Sequence, residues 1–180
     1  MVFTHDPTRR FVLTRTVAGV FAAFAAPRWA FGQTTSAQQP PPPANIPKRP
    51  DPLAPNLVRE FVGKAHGDLA ATKALLTETP GLLNATWDWG GGDFEMGVGG
   101  AGHMGHREIA EFLIGQGGRM DIFVAAMLGK LDIVKAMLAA YPGLLNSKGP
   151  HGIPLMVHAK KGGLPAEPVV AFLESQGLKS

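Results

Sequence analysis

One short unit is written four times along this chain. Gly67-Asp68-Leu69-Ala70-Ala71-Thr72-Lys73-Ala74-Leu75-Leu76, Gly105-His106-Arg107-Glu108-Ile109-Ala110-Glu111-Phe112-Leu113-Ile114 and Gly129-Lys130-Leu131-Asp132-Ile133-Val134-Lys135-Ala136-Met137-Leu138 share one pattern, and Val169-Val170-Ala171-Phe172-Leu173-Glu174 follows it more loosely. Each full copy opens on a Gly, passes a polar start and runs into an apolar helix. A shorter helix is expected before each marker glycine, over 58–67, 96–105, 120–129 and 153–162. The second helices place Ile109, Phe112 and Leu113, or Ile133, Ala136 and Met137, or Val169, Phe172 and Leu173, at the i, i+3, i+4 spacing of one apolar stripe. Such a helix cannot bury its stripe alone, so each pair needs a neighbour. The expected architecture is all-α, a solenoid of about four irregular helix pairs over residues 56–180.

These residues resemble the ankyrin repeat family over about 57–177. The family opens its first helix Thr-Pro-Leu-His-x-Ala-Ala and its second after a Gly. Here Ile153-Pro154-Leu155-Met156, Ala125-Ala126 with Leu128-Gly129, and Gly129-Lys130-Leu131-Asp132-Ile133-Val134-Lys135 keep that pattern. Departures are clear: no unit has the His after Pro-Leu, and Met96-Gly97-Val98-Gly99 has lost most of the opening motif. The marker glycines at 67, 105 and 129 also depart from a period of about 33 residues. Between Gly117 and Asp121 there is hardly room for the usual finger, whereas 80–95 and 142–152 read as long loops. The resemblance implies a protein-binding module that recognises a partner through its concave face and loops, without catalysis.

The chain carries a formal charge of +3, and residues 1–32 account for all of it, with four arginines (Arg9, Arg10, Arg15, Arg28) against Asp6. The rest is balanced, which removes nucleic acid as the expected partner. Thr8-Arg9-Arg10-Phe11-Val12-Leu13 before the apolar run 17–26 resembles a twin-arginine export signal, with the preferred cut at Ala30-Phe31-Gly32 before Gln33. Ordinary secretory export and a basic N-terminal arm are the alternatives. The expectation is a periplasmic monomer without a membrane span after processing. Residues 33–55, dense in proline, read as a disordered tether. With no cysteine there is no disulfide or thiolate metal site.

Within 56–180 the chemistry is sparse. Gly97-Val98-Gly99-Gly100-Ala101-Gly102 satisfies a dinucleotide fingerprint in letters only, since no buried strand is expected before it. Four glycines in one short helix imply either very close helix approach or a mobile segment. Trp87-Asp88-Trp89-Gly90-Gly91-Gly92-Asp93-Phe94-Glu95 has the make-up of a recognition loop, or one indole covers the gap between units. Partner contacts are assigned to Trp87, Asp88, Trp89, Asp93, Phe94, Glu95, His103 and His151. His103, His106, His151 and His158 with Asp93 or Glu95 could compose a metal site, but Gly105 interrupts His103 and His106, so no metal or cofactor is assigned. The alternative function is a small periplasmic hydrolase or metal-dependent enzyme using His103, His106, Asp93 and Glu95. Pro80-Gly81-Leu82-Leu83-Asn84 and Pro142-Gly143-Leu144-Leu145-Asn146 read as matched helix stops.

Overall fold

The computed structural model describes residues 49–179. The expected signal at 1–32 and most of the proline-rich segment lie outside the described residues. The first helix, α1, runs Pro55–Lys64, with Pro55 at the first helical position, where its missing N–H costs nothing. Then follow α2 (Leu69–Glu78), a hairpin of β1 (Thr86–Asp88) and β2 (Phe94–Met96), α3 (Gly97–Met104), α4 (Arg107–Gly115), α5 (Ile122–Met127), α6 (Leu131–Ala140), α7 (Leu155–Lys161) and α8 (Glu167–Ser175). The described chain is thus mainly helical. The all-α expectation omitted the hairpin, whose strands have three residues each. A strand that short gives no readable alternation.

Helix boundaries follow local chemistry. The Asp68 carboxylate accepts from the Ala71 amide and that of Asp121 from the Val124 amide, both at 2.9 Å, capping α2 and α5. Both Pro-Gly-Leu-Leu-Asn segments form 3₁₀ turns, and Asn84 Oδ1 accepts from the Arg119 amide at 2.9 Å. The Arg107 guanidinium donates to the carbonyls of Leu128 and Met127 at the end of α5, at 3.1 and 3.2 Å, tying α4 to α5.

Helices touch in consecutive pairs: α1 with α2, α3 with α4, α5 with α6, α7 with α8. The odd-numbered helices also pack in sequence, and α7 reaches α3 as well as α5. One core cluster holds Phe61, Val62, Leu82, Leu113 and Met127, and a second holds Ile122, Val134, Leu155, Val169 and Leu173. Helix α5 feeds both, with Ile122, Val124, Ala125, Ala126 and Met127 all buried. The stripe expected on α6 is displaced: Ile133 is exposed, and Val134 and Leu138 are buried with Leu131 and Met137 packed beside them. That set keeps helical spacing on a neighbouring face, so the periodicity was sound and its phase was not.

Gly129 ends α5 with φ +70°, and a Cβ there would press into the Pro165 carbonyl. Gly129→Ala is therefore expected to cost at least about 1–2 kcal/mol from the left-handed backbone alone, seen as a lower urea midpoint.

Candidate metal centre

Four segments meet at one point. His66 lies in the turn after α1, Glu95 in the middle of β2, His103 in the last turn of α3, and His151 in the 3₁₀ turn Pro150–Gly152 before α7. The hairpin pairs Thr86 with Met96, Trp87 with Glu95 and Asp88 with Phe94. Because successive strand residues face opposite sides, Glu95 turns inward and is 1% exposed, whereas Phe94 turns outward and is 62% exposed. The hairpin tip, Gly90-Gly91-Gly92, has φ of 130°, 66° and 88°, and the Asp88 carboxylate accepts from the amides of Gly90 and Gly92.

Helix α3 supplies the room. All of its glycines are buried, and a Cβ at Gly97 would stand 3.0 Å from the Phe61 ring, at Gly102 2.9 Å from Val124, and at Gly100 2.7 Å from the His66 ring. Close approach, rather than mobility, accounts for the glycine run. The dinucleotide-like lettering has the same origin.

The Glu95 carboxylate faces three imidazoles. His103 Nδ1 lies 3.0 Å from Oε1, His66 Nε2 3.2 Å from Oε2, and His151 Nε2 3.5 Å from Oε2, while the Trp89 indole N–H donates to Oε2 at 2.7 Å. One nitrogen from each ring and one carboxylate oxygen lie within 4.8 Å of one another. Donors around a tetrahedral zinc ion stand about 3.3 Å apart, so this set, which spreads to 4.8 Å, would draw in modestly to share a cation. Glu95 Oε1 and His103 Nδ1 are both buried and face each other, with no other hydrogen-bond partner for either among the described residues.

Two rings have their orientation settled from behind. His66 Nδ1–H donates to the Val62 carbonyl at 2.8 Å, which leaves Nε2 facing Glu95, to give it a proton or, once deprotonated, to give a cation its lone pair. His151 Nδ1–H donates to the Asp93 carboxylate at 2.7 Å, and the His151 backbone N–H reaches the other Asp93 oxygen at 2.8 Å. A carboxylate or carbonyl behind an imidazole is the usual support of a metal-bound histidine. His151 also holds φ +58°, and it is the one non-glycine with positive φ among the described residues. Strain of this kind persists where the surroundings impose it, and functional sites collect it.

Burial pushes the Glu95 carboxyl up, but the imidazoles of His103 and His66 and the Trp89 indole outweigh it and hold its pKa at about 2, below an ordinary 4.5. The same carboxylate raises His66 above 6.5 against the effect of burial. The His151 backbone N–H and then its ring lower Asp93. A buried carboxylate paired with no Lys or Arg among the described residues requires compensating positive charge. A proton on the imidazoles supplies it, and so would a divalent cation among the four donors. Nitrogen and oxygen donors without sulfur suit zinc and its first-row neighbours.

The sequence reading names Asp93, Glu95, His103 and His151 as partner contacts and, in its alternative, Asp93, Glu95 and His103 with His106 as a metal or hydrolytic set. In the structure Glu95 and His103 are buried. His106 stands apart at the start of α4, its ring against Gly67, because Gly105 turns the chain at φ +81°. His66 was missed: a single His at a helix end has no spacing to mark it. His158 is buried, donates Nδ1–H to the Pro154 carbonyl, and leaves Nε2 without a partner. Trp87 packs partly buried against the first core, while Trp89 and Phe94 stay at the surface. Comparison with protein families, with curated proteins and with solved structures finds no match to this chain.

Gly100→Ala is expected to preserve the helix, since alanine favours it by about 1 kcal/mol over glycine, while forcing the His66 ring aside. NMR titration of His66 then shows its raised pKa lost with circular dichroism unchanged. For Glu95, a depressed folded pKa means a stabilising contribution that is present above pH 4.5 and disappears as pH falls toward about 2. The stability difference between wild type and Glu95→Gln should shrink over that interval in urea unfolding.

Proposed function

We propose that this chain is an exported, ankyrin-type helix-pair protein that binds one divalent first-row transition metal, zinc by donor chemistry, through His66, Glu95, His103 and His151. The observation that carries the reading is the buried Glu95 carboxylate facing three imidazole nitrogens, with Glu95 Oε1 and His103 Nδ1 meeting no hydrogen-bond partner beyond each other among the described residues. Pairs of helices joined in consecutive contact support the ankyrin-type stack, and the finger-like hairpin and the turn before α7 are the segments that would carry its binding edge. The arginine pair and apolar run within 1–32 support export to the periplasm. No catalytic step forms part of the proposal.

Partner recognition is a second reading with its own observation. Phe94 and Trp89 are exposed beside the cluster, and a cleft of 320 Å³ lined by Asp93, Phe94, Met96, Phe123 and Lys148 adjoins them. A protein segment with apolar side chains fits this edge, with the metal set behind it.

The test is metal content after equilibrium dialysis of the chelator-stripped full chain against zinc. One zinc per chain is expected for the wild type, and stoichiometric retention should be lost in His103→Ala and in Glu95→Ala, both checked for folding by circular dichroism. Zinc affinity should also weaken as pH falls, because protons compete for the imidazole donors, beginning above pH 6.5 at His66, whose pKa Glu95 raises. A wild-type chain that retains no zinc would refute the reading.

A further inference from the structure

We infer that the turn over residues 147–154 is the gate of this metal site and that Asp93 is the latch that holds it closed, an inference that rests on the metal-binding reading above. The four donors form a gradient from inside to outside: side-chain exposure is 0% for Glu95, 8% for His103, 22% for His66 and 33% for His151. Three of them come from the tightly packed neighbourhood of α1, β2 and α3. The fourth is delivered by a separate turn, and His151 lies 58 residues beyond its latch.

That turn is built as a unit. The Gly149 amide donates to the Ile153 carbonyl at 2.9 Å, and Lys148 bridges to Pro154, so the base is pinched while the tip protrudes. At the tip His151 and Gly152 take φ of 58° and 68° in succession. A left-handed residue with a Cβ favours release, so something must hold it. Asp93 does so twice, accepting from the His151 backbone N–H and from its ring Nδ1–H. Both side chains are about a third exposed, so this pair alone is a weak restraint. The turn also rests on α3, where a Cβ at Gly99 would stand 3.6 Å from Pro150; an ion on His151 Nε2 adds a stronger hold, because it joins the turn to the three inner donors and keeps the Nδ1–H directed at Asp93.

Entry and exit of the ion then pass through release of His151, with His66, Glu95 and His103 remaining as an inner half-site. Asp93 is a positioning residue: it touches no metal and sets how long the gate stays shut. In the closed state Asp93 also fixes the end of the hairpin that displays Phe94.

The experiment compares hydrogen exchange of the full chain, stripped by chelator and reloaded with zinc, in the peptide spanning 147–154. Zinc should slow exchange there at least tenfold. In parallel, zinc release to excess chelator is followed for wild type and Asp93→Asn, and the variant should still bind one zinc but release it at least about tenfold faster, the usual effect of losing a support behind a metal-bound His. Zinc bound with unchanged exchange in 147–154, or equal release rates, overturns the gate and leaves the metal site standing. Failure of the wild type to bind zinc in dialysis overturns both. The wild-type exchange measurement decides the matter even where Asp93→Asn does not fold.

Discussion

A single carboxylate organises the centre of this protein. Glu95 is carried inward by the alternation of a three-residue strand and is removed from water with no lysine or arginine among the described residues paired to it. Its charge is met instead by three imidazoles and an indole N–H, each from a different segment. Removing one partner from such a cluster leaves a buried charge uncompensated, which costs several kcal/mol. The arrangement of the hairpin, the end of α1, the end of α3 and the turn before α7 is therefore tied to one electrostatic requirement.

Helix α3 is what makes the meeting possible. Its glycines let Phe61, the His66 ring and Val124 approach to distances that a methyl group would forbid. Helix propensity is given up at these positions, at about 1 kcal/mol each relative to alanine, and burial of the whole helix offsets the loss. A Cβ at Gly99 would stand 3.6 Å from Pro150 in the turn before α7, and α7 itself packs on α3, which places His151 beside residues of the first half of the domain. Packing here decides chemistry: a helix with ordinary side chains would hold the histidines apart.

The hairpin joins the buried centre to the outer edge. Trp89 donates inward to Glu95 and Asp93 binds the turn of His151, while Phe94 between them faces solvent. A loop tipped by three glycines would otherwise have wide conformational freedom, so its shape depends on these two contacts and on the Asp88 carboxylate, which accepts from the Gly90 and Gly92 amides.

The sequence by itself determined the local order. Marker glycines and apolar spacing made the helix pairs legible, because each signal lies within a few residues of the structure it specifies; the aspartates at 68 and 121 proved to be their caps only in the structure. It also singled out Asp93, Glu95, His103 and His151 as unusual, without saying that two of them are buried. Only the tertiary structure decided the phase of α6, the hairpin within 86–96, and above all which histidines belong together. His103 and His106 are neighbours in sequence and part at Gly105, whereas His66 and His151 come from opposite ends of the domain and converge. A site assembled from four segments has no period or motif to read, since its geometry arises from how the helices pack and not from how the residues are spaced.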